Sequence, residues 1–382
     1  MGTQQGKFVG SYVSQMTEVL TASALSGVHA LLIGAPGRGK TAVARVVAKR
    51  VFGDEYVFMR LDATTPPEKV RGHADVAKLL GDDPTYEMVV DGTALDPAAK
   101  MVLADEIGRP MDMIFDIFLD VMDRQDVEKS DAPVLWGTTN FMPTSERTDA
   151  FRDRFGLWFH VPVERLDVVA IVKSQLTGYS GGMDVETVKF PNIQQVYDAR
   201  HAQPGDKAIT AIANKLEALA EAAIAGVGSN GTVKSFDPHP RRLEQWGRVL
   251  FGYSHWLLGG DDNFSTVPDQ ATNLLRFAWP LLTPEDAHDW GEVCQSIVDP
   301  VGLVIQDMLD DAYQEFKKCK DSGGARADVA LKLGEAMADS MRKIRDFAAE
   351  TGAEDDPRIA DAIKDVQSVY SKIVVGQDPF GV

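Results

Sequence analysis

Cysteine is scarce: Cys294 and Cys319 are the only two in 382 residues, and they form no close pair. No disulfide framework can be built from them, and their use fits a reducing cytoplasm. The seven histidines (His29, His73, His160, His201, His239, His255 and His288) are scattered without ligand spacing, so no zinc site is expected. No apolar run approaches the ~20 residues that a membrane span requires. The opening residues lack the charged-then-apolar order of a secretion signal, and Gly6 stands where a myristoylation site needs Ser or Thr. No membrane role is therefore expected. Positive charge is also in deficit, with 39 Lys and Arg against 57 Asp and Glu, a formal net charge of −18. Such a surface repels phosphate backbones and counts against nucleic acid as a partner. Internal repeats and low-complexity tracts are absent.

What is present is an ordinary globular composition, 44% hydrophobic and 25% charged, in a chain long enough for two or three domains. Over residues 1–163, the runs HALLIG, YVFMRLD, KMVLADE, APVLWGTTN and LWFHVPV alternate with helical patterns. The intervening segments are long enough for crossovers, so the fold class is α/β with a parallel sheet covered by helices. From 164 to 283 the pattern turns helical, with few strand candidates, and a helical extension is expected over 284–382. Within it Val329, Leu333, Met337, Met341 and Ile344, then Ile359, Ile363, Val366, Tyr370 and Ile373, recur at helical spacing. The TGAEDDP stretch between them predicts an antiparallel helix pair.

The sharpest local signal is Gly34-Ala-Pro-Gly-Arg-Gly39-Lys40-Thr41, which fits the phosphate-loop pattern G-x-x-x-x-G-K-[ST]. Glycines let successive N–H groups turn inward toward phosphate oxygens, and the helix that follows presents its N-terminus to the same anion. At average composition the pattern arises by chance about once in a hundred chains of this length. An entering strand, ALLI, and a departing amphipathic helix make chance rarer still, and a plain strand–helix turn explains neither the lysine nor the threonine. Gly34, Ala35, Pro36, Gly37, Arg38 and Gly39, with Lys40, Thr41 and Ala42 opening the helix, are thus the candidate ATP-binding residues.

A phosphate loop alone does not say what is done with the nucleotide. KMVLADEIGR ends a buried strand in Asp105-Glu106. Asp105, with Thr41, would hold Mg²⁺, and Glu106 would polarise an attacking water. In isolation the pair could simply solvate a strand end. One strand later Asn140 could hydrogen-bond both water and γ-phosphate, although alone it reads as a turn residue. Arg152 and Arg154 precede the last strand, where composition does not separate a role from a surface position.

The order Gly34-x-Pro-Gly-x-Gly-Lys-Thr, Leu103-Ala-Asp-Glu-Ile-x-Arg109, Thr138-x-Asn140 and Asp153-Arg-Phe155, followed by PHPRR in the helical part, resembles the MoxR family of AAA+ ATPases, in the helix-2-insert clade. The likeness covers about residues 9 to 283. It implies a P-loop AAA+ core over 1–163, a helical lid over 164–283, and ATP bound with Mg²⁺ in the cleft between them. Arg154 would be the finger inserted into a neighbouring subunit's site, with Arg152 the second candidate, and Arg241 the sensor reaching the γ-phosphate from the lid. The stretch RGHADVAKLLGDDPTYEMVVDGTALDPA corresponds to the clade's inserted hairpin, and its turn signals say the same. The family implies a homo-oligomeric, hexameric ring with chaperone-like action on a protein substrate, and a partner carrying a von Willebrand A domain. Two other readings of the fold are a nucleic-acid motor or loader and an ATP-gated scaffold ring. Gly108 departs from the family's asparagine, His239 and Arg242 from the small residues beside the sensor, and 284–382 has no counterpart.

Overall fold

A computed structural model describes residues 12–298 apart from 81–84, 111, 129–130, 144–145, 163–188, 230–231, 235 and 281–282, together with Arg342 and Lys364. The chain divides into two compact units, Met1–Cys294 and Gln295–Val382. The helix pair expected over 329–373 and the junction expected at 163/164 lie outside the described residues.

The expected parallel sheet is present, with five strands in the order β2-β5-β6-β1-β7. They are β1 (Ala30–Ile33), β2 (Tyr56–Arg60), β5 (Met101–Asp105), β6 (Val134–Thr139) and β7 (Leu157–His160). Every residue of β1, β5 and β6 is buried, which is why these strands read as unbroken apolar runs. β2 lies at an edge and alternates buried with exposed positions. Residues α2 (Lys40–Phe52) and α5 (Asp112–Glu128) form crossover helices after β1 and β5, and α6 (Glu146–Asp153) leads into β7. The insertion between α2 and β5 carries α3 (Pro67–Arg71), α4 (Val76–Leu79) and the expected hairpin, β3 (His73–Ala74) paired antiparallel with β4 (Met88–Val89).

Helix α1 (Tyr12–Ser26) is buried at 12 of its 15 positions. It packs on β1 and α2 on one side and on the lid helices α7 (Ile193–His201) and α9 (Pro240–Leu257) on the other. A helix enclosed in this way has no solvent stripe, so its weak amphipathicity follows. The lid also contains α8 (Asp206–Ala225) and α10 (Asp269–Asn273) with a following 3₁₀ turn, while α11 (Pro284–Val298) opens the stretch expected as the extension. Trp290 of α11 clusters with Phe236, Trp246 and Trp279 of the lid. The indole N–H groups of Trp246 and Trp290 donate to the carbonyls of Ala278 (2.7 Å) and Leu275 (2.8 Å), so neither ring buries an unpaired donor.

The lid differs from its all-helical expectation at one place. β8 (Val227–Ser229) and β9 (Thr232–Lys234) pair antiparallel. The sequence carries a signal for this pairing, since an Asn-Gly pair between strand-forming stretches favours a hairpin. Among the described residues no helix is long and apolar enough to cross a membrane.

Candidate active site

Because the central strands run parallel, their carboxyl ends share one edge, and that edge carries the phosphate loop, Asp105, Glu106 and Asn140. Gly37 (φ 76°) and Gly39 (φ 78°) take left-handed conformations that ordinary residues avoid. Gly34 approaches β7's continuation so closely that a Cβ would lie 3.0 Å from Val161 Cβ. Lys40, 7% exposed, donates to the carbonyls of Gly34 (2.7 Å) and Ala35 (2.9 Å) and to Asn140 Oδ1 (2.9 Å). Burial lowers its pKa, against the pull of Glu106 and Asp105.

The Thr41 hydroxyl donates to Asp105 Oδ1 at 2.5 Å, and Thr138 Oγ donates to the same oxygen at 2.6 Å. Thr41 and Asp105 therefore place two hard oxygen donors together. Among the described residues no cluster of three or more His, Cys, Asp or Glu could hold a metal. Two protein oxygens, completed by phosphate and water, suit magnesium better than a cation needing an all-protein cage. The residues present fit the expected ion.

Glu106 has φ 60°, and no other described non-glycine residue has a positive φ. Such a conformation costs about 1–3 kcal/mol and persists only where its surroundings over-determine it. Here they do. Ile107 N–H donates to Thr138 O (3.0 Å), Arg109 Nε pairs with Glu106 Oε2 (3.0 Å), and Asn140 Nδ2 donates to both carboxylate oxygens (3.1 and 3.3 Å). Asn140 thus bridges the lysine and the glutamate. Gly108 belongs to the same arrangement, since a Cβ there would sit 2.2 Å from Phe141 O and 2.6 Å from Thr139 Oγ. The departure from asparagine at this position is a matter of space.

A cavity of about 550 Å³ opens at this edge, lined by Gln15, Glu18, His160, Gln270, Asn273 and Arg276. His160 pairs with Ile33, the residue before Gly34. Burial lowers the His160 pKa, against Glu285 and Asp286. No motif marked these residues, since they come from α1, β7 and the lid.

The arginines are elsewhere. Arg154 directs Nε and Nη2 to Asp123 of α5 (2.6 and 2.9 Å) and Nη1 to Ala150 O (2.8 Å). Arg241 Nη1 reaches Asp153 Oδ2 at 3.4 Å. Both line a small pocket with Val28 and His29, the residues that precede β1. That is the amino edge of the sheet, and a rise of about 3.3 Å per residue puts roughly 17 Å between His29 and Gly34. The structure therefore brings Lys40, Thr41, Asp105, Glu106 and Asn140 together, and sets Arg154 and Arg241 together at the opposite edge. Arg152 pairs with Asp149 on α6, and burial lowers its pKa.

Comparison with known proteins gives a consistent picture. A family model described as the MoxR domain in the MoxR-vWA-beta-propeller ternary systems matches residues 3–215. Chaperone protein ClpB from Aquifex aeolicus (strain VF5) is 36% identical over 98 residues, 24% of this chain and 9% of that protein. ClpB from Streptomyces albus G is 36% identical over 98 residues, 24% of this chain and 11% of its own. The chain thus spans about a tenth of the length of these curated relatives. A crystal structure from Cytophaga hutchinsonii ATCC 33406, described provisionally as an ATPase, superposes with a TM-score of 0.51 at 17% identity, covering 76% of this chain and 89% of that one. At that identity the likeness speaks for the fold.

Proposed function

Since the chain belongs to the MoxR family of AAA+ ATPases, we propose that it hydrolyses ATP in a ring of identical subunits and uses the cycle to remodel or activate a partner protein. The observation that carries the reading is the convergence of Lys40, Asn140 and Glu106 in one hydrogen-bonded chain, beside Thr41 and Asp105.

The loop from Gly34 to Ala42 holds the phosphates, with Lys40 released from its own loop carbonyls to the β- and γ-oxygens. Thr41 and Asp105 hold Mg²⁺, which when bound neutralises charge on the phosphates. Glu106 orients the attacking water and accepts its proton, while Asn140 fixes the carboxylate and reads the γ-phosphate. The cavity lined by His160, Gln270 and Asn273 accommodates the nucleoside, which gives the lid a part in binding. Water adds to the γ-phosphorus, the bond to the β-γ bridging oxygen breaks, and ADP and phosphate leave.

Arg154 and Arg241 lie across the sheet from this edge, so each serves the nucleotide of an adjoining copy. The sensor role that the resemblance implies for Arg241 is thereby read as one toward the neighbour. Membership of a family of MoxR domains from MoxR-vWA-beta-propeller systems supports a von Willebrand A domain protein as partner. In the test, Glu106→Gln keeps ATP binding by calorimetry and assembly by light scattering, yet releases no phosphate. Normal phosphate release from that variant removes Glu106 from the role.

A further inference from the structure

Helix α9 starts at Pro240, and its N-cap residue, His239, makes no side-chain cap of its own helix. Three cationic or polar side chains at this end turn instead to one carboxylate, Asp153. His239 Nε2 donates to Oδ1 at 2.7 Å, Arg242 Nη2 to Oδ1 at 2.9 Å, and Arg241 Nη1 to Oδ2 at 3.4 Å. Asp153 is the residue before Arg154. Burial raises its pKa, but Arg242, His239 and Arg241 outweigh that and leave it lowered, so it stays ionised.

The grip extends along the turn. Arg242 Nη1 also donates to Phe155 O (3.1 Å), and Gln245 Nε2 donates to Arg154 O (3.1 Å). Arg242 and Gln245 lie three residues apart and so share a helix face. At Gly156 a Cβ would come within 3.0 Å of Gln245 Cβ, so the helix lies directly on the turn. Residues 153, 154 and 155 each give an acceptor to α9, while the Arg154 guanidinium is held from the other side by Asp123. The Arg242 side chain is 3% exposed, and its charge is balanced there by Asp153.

We propose that Asp153 is a positioning residue: it locks the turn bearing Arg154 to the start of α9, so that Arg154 and Arg241 reach an adjoining copy's ATP as one rigid pair. This rests on the reading of Arg154 as a group supplied to a neighbour. A shift of α9 with the lid then carries the finger with it, and the turn cannot relax independently.

The test uses full-length Asp153→Asn, alone and mixed with Lys40→Ala subunits, which have a dead loop but an intact finger. Alone, kcat falls about 10²-fold, as a misplacement of about 1 Å entails, while KM for ATP stays within about twofold. Adding Lys40→Ala restores turnover, because those subunits present a correctly held finger to the intact Asp153→Asn sites. A role in folding or in the chain's own site predicts no such rescue. The reference is Arg154→Ala with Lys40→Ala. Recovery there without recovery for Asp153→Asn overturns the assignment, as does an unchanged kcat. Failure of the reference itself overturns the trans reading and this inference with it. If the single variant does not fold, because Arg242 is left buried without a counter-charge, Asp153→Asn/Arg242→Met removes both charges and carries the same expected loss and rescue.

Discussion

The two edges of the sheet are built differently. At the carboxyl edge the functional groups come from strand ends and one loop, each a short word in the chain, and the parallel sheet aligns them. At the amino edge Asp123, Asp153, Arg154 and Arg241 come from α5, the end of α6, the turn after it and α9, and meet only through tertiary packing. In the proposed reading one edge holds a nucleotide's cradle without the counter-charge for its transition state, and the other holds the counter-charge without the cradle. In the proposed ring, two copies of the chain side by side supply what one copy separates.

The largest expected effect breaks the amino edge alone. Arg154→Ala lowers kcat about 10³–10⁵-fold and leaves ATP affinity near that of the unaltered protein, as steady-state turnover and calorimetry will show. A loss confined to affinity places Arg154 with the chain's own nucleotide. Glu106→Gln breaks the carboxyl edge, with a fall of about 10²–10⁴ in turnover. Unlike the arginine variant, its own site is not revived by any added subunit.

A third prediction sharpens the comparison through pH. His29 sits buried at the amino edge, its Nδ1 accepting from Leu135 N–H at 3.0 Å, and burial pushes its pKa down to about 3. Between that value and the ordinary 6.5 the unfolded chain binds the extra proton. Its contribution to stability is therefore complete above pH 6.5 and is lost as pH falls toward 3. Denaturant titrations at stepped pH should show this slope, on the order of 5 kcal/mol across the window. His29→Gln should flatten it by one proton's worth, and an identical slope in both proteins contradicts the burial argument. The smallest effect concerns Gly108→Ala, where the added methyl meets Phe141 O. A destabilisation of about 1–3 kcal/mol is expected, and full stability in thermal melts would show that the loop yields.

This contrast also explains what the sequence disclosed. The phosphate loop and Asp105-Glu106 were legible because glycine spacing and a buried strand's end are local patterns, and the strands β1, β5 and β6 were legible as apolar runs. The cavity at His160, the clamp of Gly108 against Phe141 and the convergence on Asp153 left no local trace, since each depends on segments far apart in the chain. Arg241 was picked out by a resemblance, but the edge of the sheet it occupies is a fact of how α9 packs. The hairpin β8–β9 carries a local Asn-Gly turn signal, but it sits among helical periodicity that dominates the stretch.

In the proposed ring, neither edge turns over ATP without its counterpart from another copy. The direct measurement is specific ATPase activity down a dilution series that crosses from assembled to monomeric protein. A fall of about 10³-fold or more is expected as monomers come to dominate. Activity per subunit that stays constant through the transition would contradict it.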